Sequence, residues 1–277
     1  GAAGVNVVVR DHRGLSEPFV DALVLAGHEV GESDVLLVDH EAPGPVYDRW
    51  FAACEKAFLY PHGCGPLVYT LYPQRPETRG HFVIGSGQAD LLATFDDRPT
   101  EVVGWPYGPL LPYRQTAAQR ILYAPTHPDG FGWLPDDIRA VQDQALRDLL
   151  ALPVEVRVRY ASSPSPLEVD IDWADCVVAG PGSFASYAVS RGCPTVVIGE
   201  DVVPFERHPV TREPARLPRF AELAPRFRFP TINGRLADQI DVACSEDTAA
   251  TWRDRFVGDL FDPAHFADVF SKAVEQW

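Results

Sequence analysis

The stretch Asp175–Asp201, DCVVAGPGSFASYAVSRGCPTVVIGED, decides the fold. Cys176–Ala179 and Thr195–Ile198 are short apolar runs of β-branched character, each bounded by turn formers, and they predict two strands. Between them Gly180-Pro181-Gly182 predicts a sharp turn that bulkier residues do not make. Ser183 stands where a helix N-cap belongs, Phe184–Arg191 reads as the helix, and Gly192 reads as its stop. Two parallel strands joined by a short helix form a βαβ unit. The turn carries the functional interest. Free backbone N–H groups and the positive end of the helix dipole above Gly182 and Ser183 favour a phosphate or a carboxylate. A second reading stays open beside it, in which the glycines serve only to let helix and sheet pack closely.

On the amino-terminal side the same alternation recurs. Val5–Arg10, Asp34–Asp39, Ala57–Tyr60 and Phe82–Ile84 read as strands, and DVLLVD is almost purely apolar, as in a strand buried on both faces of a parallel sheet. Glu17–Ala26, Tyr47–Lys56 and Gln88–Phe95 read as helices, the last opened by Gly85-Ser86-Gly87. Pro109–Gln119 contains prolines and has no period, so it is the expected linker. The pattern then restarts with a strand at Ile121–Ala124 and an amphipathic helix over Pro135–Leu150. Val154–Tyr160 follows, a run whose strict alternation predicts one solvated face. Beyond the central unit lie an irregular Pro/Arg-rich stretch, Pro204–Pro230, and closing helices at Thr251–Val257 and Pro263–Gln276. The expected class is α/β, with two Rossmann-like parallel-sheet domains, residues 1–112 and 113–277, facing a cleft.

Composition narrows the function. With 277 residues, 46% hydrophobic and 23% charged, the chain is long enough for one large cored domain or two medium ones. A net charge of −15 argues against nucleic acid or an anionic membrane surface, since phosphate backbones need a basic stripe. Five scattered cysteines with no CxxC spacing signal neither zinc nor a disulfide framework. No apolar run approaches a membrane span and no signal peptide opens the sequence, so a cytoplasmic protein with reduced thiols is expected. Methionine is absent throughout, position 1 included, where a core of this size ordinarily uses some.

Several short motifs together carry a family likeness. Ala26–Val30 (AGHEV), Pro61-His62-Gly63, Gly104-Trp105-Pro106, Ile121–Thr126 (ILYAPT) and Asp175–Pro194 occur in an order that resembles the two-domain, twin-Rossmann (GT-B) glycosyltransferases. Within these the chain looks most like the CDP-glycerol glycerophosphotransferase group. The resemblance implies a transferase that moves a glycosyl or alditol-phosphate group from a nucleotide-activated donor to an acceptor hydroxyl. The departures matter. Where that group has Asp-Tyr-Ser-Ser, this chain has Gly180-Pro181-Gly182-Ser183, so only the last serine is kept. Related epimerases and transferases carry a glutamate pair near the positions of Ser186 and Tyr187, which hold none. A shorter relative, the UDP-sugar hydrolase of pseudaminic-acid synthesis, is similar in length and in the Asp39-His40-Glu41 that ends the DVLLVD run.

The candidate residues follow. His62, in a strand-end loop, can take a proton from an acceptor hydroxyl, and the resemblance implies that base role; a histidine bonded to a loop carbonyl is the plainer reading. Thr126 and His127 can donate to a diphosphate, chiefly on the strength of the resemblance, although Pro125 and Pro128 already demand a bend there. Gly182 and Ser183 complete the expected cradle from the opposite wall, and Glu200 and Asp201 are candidates for a ribose hydroxyl. Gly85 and Ser86, with His12 and Arg13, are the acceptor-side candidates, against plain packing for the first two and solvated surface for the others. Arg207 and His208 are weaker candidates for donor phosphates. No DxD motif in a metal-ready context occurs, so no metal and no cofactor is expected. The alternatives are a nucleotide-sugar hydrolase or epimerase of the same fold, and a non-catalytic ligand-binding protein that kept the fold.

Overall fold

A computed structural model of the protein describes residues 5–10, 16–39, 45–60, 75–94, 96–126, 136–160, 162–199 and 228–277. They fall into two compact units. One holds the described residues up to Gly108 together with Arg255–Trp277, and the other holds those of Pro109–Asp254. Both are α/β with parallel sheets.

The first unit contains β1 (Asn6–Arg10), α1 (Glu17–Leu25), β2 (Glu29–Val30), β3 (Val35–Val38), α2 (Pro45–Ala52), β4 (Lys56–Leu59), β5 (Thr78–Val83), α3 (Ser86–Leu92) and β6 (Thr100–Val102). Its six strands lie in the order β2-β1-β3-β4-β5-β6, all parallel. All four residues of β3 are buried, as a wholly apolar strand covered on both faces requires. The helix expected over Tyr47–Lys56 ends sooner, at Ala52. The Asp34 carbonyl accepts from Glu55 N (2.7 Å) and Lys56 N (3.3 Å), which draws the chain out of the helix and into β4.

The core of this unit is aromatic. Phe19, Phe58, Phe82, Phe266 and Phe270 are all but inaccessible to solvent, and burying each is worth roughly 1.5–3 kcal/mol. The last two come from the helix Pro263–Gln276, which starts at a well-formed cap: the Asp262 carboxylate accepts from Ala264 N (2.9 Å) and His265 N (3.2 Å), with Pro263 at the first helical position. The segment before it runs beside Trp105, whose N–H donates to Asp259 O (2.7 Å) while its carbonyl accepts from Phe261 N (3.1 Å). Gly104, at φ +86, sits where a Cβ would come within 2.8 Å of that same backbone, so the Gly-Trp-Pro motif needs its glycine twice over. His28 is a core residue. Its Nδ1 accepts from Val5 N (3.1 Å), so Nε2 carries the hydrogen and faces Ser271 Oγ at 3.0 Å.

The second unit contains β7 (Arg120–Ala124), α4 (Asp136–Leu150), β8 (Glu155–Val158), α5 (Leu167–Trp173), β9 (Cys176–Ala179), α6 (Phe184–Ser190), β10 (Thr195–Val197) and α7 (Leu236–Ser245). Its sheet runs β10-β9-β7-β8, again parallel, so the central βαβ unit has the expected form. The helix α6 stops one residue short of the expected Arg191, and Gly192 turns the chain at φ +67. The helix Ala250–Phe256 contains the boundary between the units. Buried Ile121, Tyr123, Val178, Leu149 and Ile240 form one core face, and Leu122, Val177, Ile171 and Ala188 form the other.

Pro109–Gln119 has neither helix nor strand, as its lack of period predicts, but much of it is clamped to the second unit. Leu111 N donates to Ser190 O (2.7 Å), Arg114 N to Gly192 O (2.9 Å) and Thr116 N to Cys244 O (3.1 Å). The Tyr113 hydroxyl donates to Ala243 O (2.8 Å), and burial pushes its phenol up to about 12. Among the described residues no helix is long and apolar enough to cross a membrane.

Candidate functional site

At the carboxyl end of the second sheet β7 and β9 finish in register, Ala124 opposite Ala179, and Gly180 N donates to Ala124 O (2.9 Å) to extend the ladder by one bond. That register brings Thr126 directly against the Gly180–Ser183 turn. The Thr126 hydroxyl donates to the Pro181 carbonyl. A Cβ at Gly180 would lie 2.5 Å from Gln142 Nε2 and 2.6 Å from Thr126 N, and closer still to Thr126 Oγ1, so only glycine fits there. Thr126 therefore shares one wall with the turn, on the neighbouring strand.

The next glycine is the reverse case. Among the described residues a Cβ at Gly182 would meet nothing within 4 Å, and glycine is favoured there by φ +146 instead. Ser183 follows in helical conformation, half-buried and with no side-chain capping bond, while its carbonyl accepts from Ser186 N (3.0 Å). The N-cap role expected of Ser183 is thus filled by its backbone alone. The first N–H groups of α6 have no intrahelical acceptor by construction, so the turn offers donors to an oxygen-rich group.

Two buried polar atoms near this turn have no hydrogen-bond partner among the described residues: Gln142 Nε2 on α4 and Ser186 Oγ in the first turn of α6. Gln142 is held in place through its backbone, whose carbonyl accepts from the Tyr123 hydroxyl (2.7 Å). Burial raises that phenol, which keeps it a donor. Gln142 stands in no motif, and Ser186, within the Asp175–Pro194 motif, is notable in sequence only for lacking a glutamate; their burial is what marks them here.

At the sheet edge next to β7, the face of β8 expected to be solvated carries Arg157 and Arg159, and α5 sets Asp170 against both. Arg157 Nη1 donates to Asp170 Oδ1 (3.1 Å) and its guanidinium lies 4.0 Å from the Trp173 ring centre. Arg159 donates to Ser165 O (2.9 Å) and to Asp170. Burial works to raise the Asp170 carboxyl, but hydrogen bonds from Ser165 and both arginines prevail and hold it below the ordinary range. Two cations thus share one buried carboxylate at this edge. The alternation of VEVRVRY already placed both arginines on one face; the carboxylate that covers them was not legible.

Gly85 and Ser86 occupy the corresponding turn of the first unit, between β5 and α3. A Cβ at Gly85 would meet the backbone of Arg255 and Phe256, and one at Gly87 would lie 2.8 Å from the Phe256 ring. The side-chain oxygen of Gln88 accepts from Ile84 N (2.7 Å) and Gly85 N (3.4 Å), so two amides of this turn are already spent. Ser86 is exposed. Below the turn, His81 Nε2 lies 2.8 Å from Asp96, which also takes Arg98 Nε and Nη2, all three within the β5–α3–β6 segment. His62, His12, Arg13, His127, Glu200, Asp201, Arg207 and His208 lie outside the described residues. Among the described residues no three His, Cys, Asp or Glu side chains are grouped as metal ligands.

No protein-family model matches the chain, and no curated protein matches it. Among solved structures the chain is similar to the wall teichoic acid polymerase TagF, with a TM-score of 0.49 and 10% identity over 98% of this chain and 88% of that one. A histidine-to-asparagine variant of the same polymerase, soaked with CDPG, gives a TM-score of 0.49 and 10% identity over 98% and 88% of the two chains. A histidine-to-alanine variant gives 0.48 and 9% over the same shares.

Proposed function

We propose that the second unit binds the diphosphate of a nucleotide-activated sugar or alditol at the carboxyl end of its sheet. On this proposal the protein is a transferase that passes the activated group to an acceptor hydroxyl. One observation carries it: the register of β7 and β9 joins Thr126 to a glycine turn whose outer residue, Gly182, has no close neighbour at its Cβ position among the described residues. Backbone N–H groups at the start of α6, the Ser183 hydroxyl and the Thr126 hydroxyl are donors suited to phosphate oxygens. The sequence resemblance of Ile121–Thr126 and Asp175–Pro194 to the glycerophosphotransferases points the same way.

In this reading His127 adds a donor to the diphosphate, Glu200 and Asp201 take the ribose, and His62 removes the proton of the acceptor hydroxyl. His12, Arg13, Gly85 and Ser86 serve the acceptor. Charge developing on the leaving phosphate is met by fixed donors, with no metal required. Activity retained after exhaustive chelation is the expected outcome, and recovery only on adding magnesium would overturn that part.

The test is a thermal-shift series with CDP, UDP, GDP, dTDP and ADP on the wild type and on Ser183→Glu. A ligand at a hundredfold excess over its Kd stabilises the native state by roughly 2.7 kcal/mol. A selective shift that the carboxylate at position 183 abolishes is expected. No shift with any of the five would remove the proposal.

A further inference from the structure

Resting on that reading of the site, we propose that Gln142 is a positioning residue for the bound ligand, acting through Thr126. Its side-chain nitrogen is enclosed beneath the turn and lacks an acceptor among the described residues. Gln142 Nε2 and Thr126 Oγ1 crowd the same face of Gly180, at the point where a Cβ would stand, and Gly180 is bare there because both occupy the space. The Thr126 hydroxyl has one hydrogen and two acceptor positions, and its hydrogen is committed to the Pro181 carbonyl.

A ligand oxygen arriving over Gly182 gives that hydrogen a second acceptor. When the hydroxyl turns towards it, the bond to the Pro181 carbonyl is exchanged for one to the ligand oxygen, the lone pairs of Oγ1 swing to the Gln142 side and the amide gains an acceptor. The unpaired amide costs stability in the empty protein, and that cost is returned on binding. The Tyr123 hydroxyl, bonded to the backbone carbonyl of Gln142 at 2.7 Å, fixes the helix residue from which the amide projects. A glutamine with a purely structural role would instead be paired in the empty protein.

The experiment measures the Kd of whichever of CDP, UDP, GDP, dTDP and ADP shifts the wild type, using Gln142→Met, Thr126→Ala and the double variant. Gln142→Met keeps the length and removes the donor. It is expected to melt at or above the wild-type temperature when empty and to bind about tenfold more weakly. The double variant is expected to bind no more weakly than Thr126→Ala, because Gln142 acts only through that hydroxyl. Wild-type affinity in Gln142→Met, or penalties that multiply in the double variant, would overturn the proposal while leaving the site intact. An empty Gln142→Met that is less stable than the wild type, or does not fold, would overturn it too, by showing that the amide is already paired in the native state. If the wild type binds none of the five nucleotides, the functional reading falls and this proposal with it.

Discussion

Two βαβ segments of this protein carry a glycine turn, and they use their glycines for opposite ends. In β5–α3–β6 the turn Gly85-Ser86-Gly87 is filled by protein. The Arg255–Phe256 backbone and the Phe256 ring occupy the space that two Cβ atoms would take, and the Gln88 side chain consumes two amides. A cluster of buried His81 and Asp96 with half-buried Arg98 closes the same segment. In β9–α6–β10 only the inner glycine, Gly180, is crowded. Among the described residues a Cβ at Gly182 would meet nothing within 4 Å, and Gln142 and Ser186 hold buried polar atoms without partners. A glycine turn thus marks a close approach in both cases, and what approaches separates a packing joint from a candidate ligand site.

The comparison can be broken from either side. The largest effect is expected from Asp96→Asn, which leaves buried His81 and Arg98 without their carboxylate and should cost about 3–5 kcal/mol at pH 7 in urea unfolding. Burial works to raise this carboxyl, but hydrogen bonds from His81 and Arg98 win and hold it far below the ordinary range. A depressed folded pKa stabilises above the unfolded value, about 3.9, and that stability is lost as pH falls below it. The gap between wild type and variant should therefore narrow below about pH 4. A gap that stays level through that range would remove the carboxylate from the account.

Gly85→Ala comes next, at about 3 kcal/mol, because its methyl meets main chain that has little room to move. A loss well under 1 kcal/mol would mean that the first turn is as open as the second. Gly182→Ala should cost only about 1–2 kcal/mol, the strain of φ +146 without a clash. It should nonetheless weaken nucleotide binding by a larger factor than Gly85→Ala, as measured by calorimetry on both variants. Smallest is Ser86→Ala, expected within about 0.5 kcal/mol of wild type, since the side chain is exposed.

Much of the second segment was legible. Apolar runs, a glycine turn and Gly192 defined strand, helix and strand to within a residue or two, because each is a local preference of the backbone. DVLLVD likewise named its own burial. Other features turned on distant partners. Lys56 left its expected helix because the Asp34 carbonyl, 22 residues earlier in sequence, receives its N–H. The face of β8 that alternation assigned to solvent acquired Asp170 from α5. Gly85 and Gly182 read alike in sequence, and only the neighbours of each distinguish them.

By itself, the sequence determined that this is an α/β protein of parallel strands, and where the turns fall, since period, β-branching and glycine act over a few residues. It also set the acidic balance, a net charge of −15. Tertiary structure alone decided that Phe266 and Phe270, near the end of the chain, complete the core begun by Phe19 and Phe58. It also decided that Thr126 and Gln142 meet at Gly180. Such contacts join residues far apart in the chain, and no local pattern encodes which side chain will stand at an empty Cβ.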